Sequence, residues 1–116
     1  MAVKTDSFKD FVLDQLDGLY GVACRSMFGG YGLYHSDVFF GIIHKSRLFF
    51  KTDEASRLRY LSKGMKPFRP NTRQTLKTYY EVPAEIIEDQ EQLTEWAIQA
   101  SRSASPAAAR TAKVRT

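Results

Sequence analysis

Short apolar segments joined by very short turns fill the first half of this sequence and restrict the folds open to it. Four of them are predicted as strands, at 22–27, 31–35, 38–43 and 47–51. The pairs Ser36-Asp37 and Lys45-Ser46 separate the last three. A two-residue turn joins strands that run in opposite directions, whereas parallel strands need a crossover of a dozen residues or more. The pattern therefore predicts an antiparallel meander, with the segment 38–43, apolar on both faces, as a central strand.

A first helix is predicted before the meander. Asp6 or Ser7 can cap its N-terminus, and Gly18 ends it. The side chains expected to face a core recur at three- and four-residue spacing. They are Phe8, Phe11, Val12, Gln15 and Leu16.

A second helix is predicted after the meander, from about residue 54 to residue 61. Asp53 is its expected N-cap, and Gly64 is its stop signal. Leu58 and Leu61 are expected on its apolar side.

The remaining sequence adds two strands and a long helix. An extended segment over 65–70 and a strand over 74–82 precede a short helix that begins at Pro83. The last helix is predicted over about 91–103, with an apolar face formed by Leu93, Trp96, Ala97 and Ala100. The order α-β-β-β-β-α-β-β-α predicts an α+β fold, in which an antiparallel sheet of five to six strands carries helices mainly on one face.

Length and composition predict one domain of ordinary size. The 116 residues are expected to form a folded part over 1–103, followed by a basic low-complexity tail over 104–116. Cys24 is the only cysteine, which excludes an intramolecular disulfide. The N-terminus is polar, and no apolar run approaches the roughly 20 residues of a membrane helix. These features predict a cytoplasmic protein.

Charge is distributed unevenly along the sequence. The net charge of +4 equals the four basic residues that follow Ala100 without any acid: Arg102, Arg110, Lys113 and Arg115. The part before residue 101 has no net charge. Within it, the region 45–77 holds ten basic residues and two acids. The region 78–100 holds six acids and no base. Two interpretations stay open: neighbouring surfaces that neutralise each other, or a basic face that binds a partner.

No arrangement of residues in the sequence is typical of a catalytic or metal site. His35 and His44 are expected at the surface, and no pair of residues has the spacing of a structural zinc site. Cys24 is expected to be a buried small residue. The segment Gly29-Gly30-Tyr31-Gly32 lacks the Gly-Lys-Ser/Thr ending of a phosphate loop, so a turn or bulge with a positive φ at Gly29 or Gly30 explains it better. We therefore expect no enzymatic activity, metal or cofactor, and no small-molecule substrate is evident.

Basic and aromatic residues alternate in one part of the 45–77 region and just after it. The basic residues are Lys66, Arg69, Arg73 and Lys77, and the aromatic ones are Phe68, Tyr79 and Tyr80. Proteins that bind single-stranded nucleic acid combine cations for the backbone with aromatic rings for the bases. Candidate contacts with nucleic acid or another partner are therefore these four cations, Tyr79 and the tail cations Arg102, Arg110, Lys113 and Arg115. The alternative is that the aromatic residues belong to a core, as most strand aromatics do.

Several motifs stand out over about residues 8–101. The opening motif is Arg25-Ser26-Met27-Phe28-Gly29-Gly30-Tyr31-Gly32-Leu33-Tyr34, and a middle strand and helix cap are Phe49-Phe50-Lys51-Thr52-Asp53. Later motifs are Pro67-Phe68, Tyr79-Tyr80-Glu81-Val82-Pro83 and the closing helix with Trp96. Together they resemble the N-terminal domain of the TfoX (Sxy) family. The residues singled out as structural are Arg25, Met27, Phe28, Gly29, Gly30, Gly32, Pro83 and Trp96.

The resemblance implies regulation of competence genes for DNA uptake, and an α+β domain similar to secretion-chaperone-like folds, which often form dimers. It implies no enzymatic activity and no cofactor. Full-length competence regulators of this family carry a second, helical C-terminal domain. This sequence instead continues into the short basic tail, so a stand-alone domain of this type is expected.

Two functions are compatible with these observations. The first is a non-enzymatic regulatory or adaptor module that binds a protein partner or a second copy of itself, in connection with transcription or competence. It predicts an exposed apolar strand or helix face. The alternative is a nucleic-acid-associated factor that uses the tail and the basic 45–77 region, and it predicts salt-dependent affinity.

Overall fold

Six antiparallel strands form a single open sheet, as the turn pattern predicts. The computed structural model describes residues 3–27 and 29–105. The strands are β1 (Val22–Met27), β2 (Gly30–His35), β3 (Val38–His44), β4 (Arg47–Lys51), β5 (Pro67–Asn71) and β6 (Gln74–Glu81). They lie in the order β1-β2-β3-β4-β6-β5, so the β5–β6 hairpin extends the meander on the side of β4.

Four helices complete the described part of the chain. They are α1 (Val3–Gln15), α2 (Glu54–Ser62), the single-turn α3 (Ala84–Ile87) and α4 (Gln90–Ala104). The α+β prediction is therefore confirmed, with an element order close to the expected one. Within the described residues, no helix has the length and apolar character required to cross a membrane. The tail beyond Ser105 lies outside the described residues, and the division into a domain and a tail stays a prediction.

The tight turns have the backbone geometry that two-residue hairpins require. Ser36 and Asp37 have φ values of 51° and 69°, and Lys45 and Ser46 have 51° and 60°. Positive φ at both turn residues matches the right-handed twist of the flanking strands. Gly29 has a φ of 75°, which confirms the positive φ expected at one of the paired glycines.

The start of α1 differs from the prediction. The helix begins at Val3, so Asp6 and Ser7 lie inside it and are not its N-cap. No glycine or proline lies between Val3 and Phe8 to stop a helix at the expected place. Phe11 is also 43% exposed and does not belong to the core, in contrast to the expected stripe.

The main core lies between the sheet and the helices. Val12 of α1, Leu16 just after it and the predicted apolar face of α4 meet strand residues such as Phe40 and Phe50. Trp96 is 4% exposed and lies edge-to-face with Tyr60 of α2, with ring centroids 4.8 Å apart. The four residues expected on the apolar face of the last helix are all buried.

Helix α2 packs through a different face from the one expected. Tyr60 is 1% exposed, whereas Leu58 is 65% and Leu61 50% exposed. The packing is set by Tyr60, whose ring contacts those of Tyr80 and Trp96. Because successive helical residues are about 100° apart, Leu58 then lies about 200° from Tyr60 around the helix and Leu61 about 100° from it. The assignment of these leucines to the buried side was therefore wrong.

The other face of the sheet carries a smaller cluster made only of strand residues. Ile42, Phe49 and Phe68 are its buried members, and Phe39, Leu76 and Tyr79 pack around them. All buried helix residues belong to the main core instead. The helices are thus on one face, as expected, and strand side chains line the other, which we call the uncovered face.

The two edges of the sheet differ in composition. One edge is β1, which has no proline; the other is β5, which contains Pro67 and Pro70. Proline has no backbone N–H and is confined to sheet edges, strand starts or bulges.

Candidate functional site

A cleft lined by four basic side chains among ten residues lies on the uncovered face, where three separate parts of the chain meet. It has a volume of about 460 Å³. Its polar residues are His44, Lys45, Arg47, Lys66, Arg69 and Glu81, and its apolar residues are Phe49, Pro67, Phe68 and Pro70. The pairing of β4 with β6 places Phe49 opposite Glu81, and the pairing of β6 with β5 brings Pro67 opposite Tyr80. We call this site the basic cleft.

The charge balance of the basic cleft is strongly positive. Four Lys and Arg side chains line it, against the single acid Glu81. Glu81 lies 3.5 Å from Nη1 of Arg47, whose side chain is 64% exposed, so this ion pair is weak. Three of the four cations therefore have no acid beside them in the cleft.

His44 adds a neutral ring to this basic site. Burial, and secondly the charge of Lys45, lowers the pKa of His44 below its ordinary value. Its ring contacts Phe68 edge-on, with centroids 5.3 Å apart. At neutral pH the cleft thus presents an uncharged imidazole beside four cations.

The structure brings together only some of the predicted contact residues. Lys66 and Arg69 line the basic cleft, whereas Arg73 and Lys77 are exposed but are not among its lining residues. Arg102 is exposed on α4. The other predicted tail contacts, Arg110, Lys113 and Arg115, lie outside the described residues. Lys45 and Arg47 belong to the cleft, although no sequence pattern favoured them among the ten basic residues of the region.

The aromatic residues of that region are mostly unavailable for stacking. Phe68 is 2% exposed, and Tyr80 is 9% exposed and belongs to the main core. Tyr79 is half-buried on the uncovered face, 5.6 Å from the ring of Phe39. Burial raises the pKa of Tyr79 to about 12, and Nζ of Lys51 lies 5.3 Å from its ring centroid. Tyr79 does not line the basic cleft.

The glycine motif has a packing explanation on the same face. The guanidinium of Arg25 lies 4.9 Å from the ring centroid of Tyr34. A Cβ atom at Gly32 would overlap the sulfur of Met27 and the ring of Phe39. Gly32 therefore leaves room for its neighbours, which supports a structural role; Phe28 lies outside the described residues.

Helix α2 carries a second site, built around an arginine that is partly buried. The Asp53 carboxylate accepts a hydrogen bond from the Ser56 backbone, and the Ser56 hydroxyl accepts one from the Asp53 backbone, which fixes the start of α2. The guanidinium of Arg59 then stacks 4.2 Å from the ring centroid of Trp96. Its Nε and Nη2 atoms are buried, and no described residue accepts a hydrogen bond from them.

A groove of about 370 Å³ runs beside Arg59. It lies between α2 and α4 and is lined by Asp53, Ala55, Ser56, Leu58, Arg59 and Gln99. The exposed Leu58 forms part of its wall, and Leu61 lies one helical turn further on. We call this site the α2 groove.

The remaining titratable candidates lie apart from both sites. Cys24 is half-buried in β1, and burial raises the pKa of its thiol. His35 makes a 2.9 Å hydrogen bond between its Nδ1 and the Ser101 hydroxyl. In the described part of the chain, no group of three or more His, Cys, Asp or Glu side chains could hold a metal ion.

Comparison with protein families supports the resemblance seen in the motifs. The family model for the TfoX N-terminal domain matches residues 14–104, which include all six strands and α2, α3 and α4. A comparison with curated proteins found no match. The matched segment covers most of the chain, so this protein belongs to the TfoX N-terminal domain family.

Proposed function

We propose that this protein is a non-enzymatic regulatory or adaptor module that works by binding another protein. The observation that carries the proposal is the exposure of Leu58 and Leu61 on α2, at 65% and 50%. Single apolar side chains are common on protein surfaces, but these two are one helical turn apart, and Leu58 lines the α2 groove. An exposed apolar helix face is the feature expected of an adaptor.

Arg59 indicates the chemistry of the partner. Buried donors almost always have an acceptor, and a buried donor without one costs about 1–3 kcal/mol. Stacking on Trp96 offsets part of this cost, but it supplies no oxygen to Nε or Nη2. A partner that inserts an acidic side chain into the α2 groove would supply the missing acceptor while an apolar neighbour covers Leu58.

The proposal keeps the expectations of a cytoplasmic protein without catalytic activity of its own. Its role would be regulatory, in transcription or competence, and would be exerted through the partner that it binds. A second copy of the chain is one candidate partner, as dimers are common among similar folds.

Site-specific photocrosslinking in cells tests the proposal. A benzoylphenylalanine at position 58 should give a discrete adduct, which Leu61→Asp should abolish. The same probe at Tyr20, which is 94% exposed, is the matched control. An adduct at twice the monomer mass would identify self-association. No adduct at position 58, or the same adducts at both positions, would refute this surface.

Nucleic-acid binding is a second candidate, favoured by a separate observation. Lys66 and Arg69, two of the predicted contact residues, converge on the basic cleft. Their position supports the alternative that the sequence left open for the 45–77 region, with the tail as a further source of positive charge.

A further inference from the structure

We propose that the basic cleft is a nucleotide site, which binds the phosphate and base of a free nucleotide or of one unit in a single strand. This inference makes the nucleic-acid candidate specific. It is independent of the adaptor role, because the basic cleft and the α2 groove share no residue and lie on opposite faces of the sheet.

The cations of the cleft fit a phosphate group. All four cations are exposed. Lys45 lies in the β3–β4 turn, Arg47 in β4, Lys66 just before β5 and Arg69 in β5. Because their side chains converge from separate strands, their potentials add at one place. The part of the chain before residue 101 has no net charge, so this positive site reflects the folding of the sheet and not the overall composition.

The size and floor of the cleft fit a base beside the phosphate. A volume of about 460 Å³ lies within the range of small-molecule sites, about 300–1,000 Å³. The rings of Pro67 and Pro70 and the neutral ring of His44 supply apolar surface, and the buried Phe49 and Phe68 also line the cleft. An acidic peptide would pair with the cations but leave this ring-lined floor unused, whereas a nucleotide uses both parts.

Two prolines and a packed aromatic pair restrain the β5 wall of the cleft. Pro67 and Pro70 restrict the backbone φ at their own positions, and Phe68 between them packs against Phe49 with ring centroids 4.6 Å apart. A preformed wall lowers the ordering cost of binding. Among the described residues, Glu81 is the one anion that competes in the cleft, through its 3.5 Å contact with Arg47.

Fluorescence anisotropy with a labelled twelve-residue oligo-dT tests the site. If all four cations contact phosphates, those of the bound unit and of its neighbours on the strand, the log–log salt slope from the cleft is at most about −2.8. The double variant Lys66→Gln/Arg69→Gln should reduce the slope by up to about 1.4 and weaken binding at least tenfold at 50 mM salt. These side chains are exposed, and circular dichroism checks that the variant is folded.

The matched control is Arg73→Gln/Lys77→Gln. It removes the same charge from the same basic region, but neither residue lines the cleft. Both double variants keep the tail, so any contribution of the tail cancels in the comparison. Equal losses in the two double variants, or no measurable binding by the wild type at 50 mM salt, would overturn the proposal.

Competition experiments distinguish the source of the nucleotide and the other ligand class. If the ligand is a free nucleotide, ATP should displace the oligonucleotide, and Lys66→Gln/Arg69→Gln should weaken ATP binding. If it is a strand, ATP should compete poorly, and affinity should rise from four to twelve residues of oligo-dT. Polyglutamate is tested at the same concentration of negative charge as unlabelled oligo-dT. If it displaces the labelled strand as effectively as oligo-dT does, the cleft binds acidic peptides and the proposal is overturned. In each case the crosslink at position 58 should be unaffected by the cleft variants.

Discussion

Replacing Arg59 by methionine should stabilise the isolated protein and weaken its binding to a partner. The side chain holds two buried N–H donors, at Nε and Nη2, for which no described residue is an acceptor. Each such donor costs about 1–3 kcal/mol, more when the group is charged. Methionine removes both donors, keeps an unbranched chain over Trp96, and offers a sulfur–aromatic contact of about 0.3–1.5 kcal/mol.

The opposing losses are smaller. The stacking of Arg59 on Trp96 contributes about 0.5–2 kcal/mol, and a cation in the last turn of α2 contributes about 0.3–1 kcal/mol. Because part of Arg59 reaches solvent, the lower end of the desolvation cost applies. The net expectation is a gain of about 1 kcal/mol, or roughly 4 °C in Tm for a domain of this size.

Urea denaturation followed by tryptophan fluorescence measures the change, since Trp96 is the only tryptophan. The control is Arg57→Met, two residues earlier, where Nε donates a 3.0 Å hydrogen bond to the Thr52 hydroxyl. This variant should lose about 0.5–1.5 kcal/mol, because it removes a hydrogen bond that is made. A loss of more than 1 kcal/mol in Arg59→Met would show that its donors are satisfied in the free protein and would refute the argument for an acidic partner.

Three further changes test the packing and the helix cap. Trp96→Ala should cost about 3–5 kcal/mol in a urea titration, and a loss below about 1 kcal/mol would show that the ring contributes little to the core. Gly32→Ala should cost about 1–3 kcal/mol, because the new Cβ overlaps the sulfur of Met27; unchanged stability would mean that the neighbours yield freely. Asp53→Ala should cost about 1 kcal/mol at pH 7. The backbone N–H of Ser56 is the main cause that lowers the pKa of Asp53 below 3.8. The stabilisation by the Asp53 cap is therefore present above the unfolded pKa and lost as the pH falls through the lower folded value, so the difference between wild type and Asp53→Ala in thermal melts should shrink as the pH is lowered through that range.

The strand order of the first half could be predicted from the sequence because local chemistry determines it. Ser36-Asp37 and Lys45-Ser46 leave only two residues for each reversal, so the strands that they join must be neighbours. The pairing of β4 with β6 is different. It links residues some thirty positions apart, on either side of α2, and no short-range pattern indicates it.

The two candidate sites were hard to predict for the same reason. The basic cleft depends on that long-range pairing, which places Arg47 near Glu81 and Lys66. The α2 groove depends on the rotation of α2 about its axis. Leucine spacing suggested one orientation, but the ring of Tyr60 packs between α4 and β6 and fixes another.

The difference between the two sheet edges limits how large an assembly built by strand addition can become. Strand β5 lacks two backbone donors, at Pro67 and Pro70, whereas β1 contains no proline. If two copies join through β1 across a two-fold axis, each uses up its proline-free edge, and the resulting twelve-stranded sheet ends in proline-containing strands on both sides. Those remaining edges are poor templates for a further strand, which disfavours growth beyond two copies.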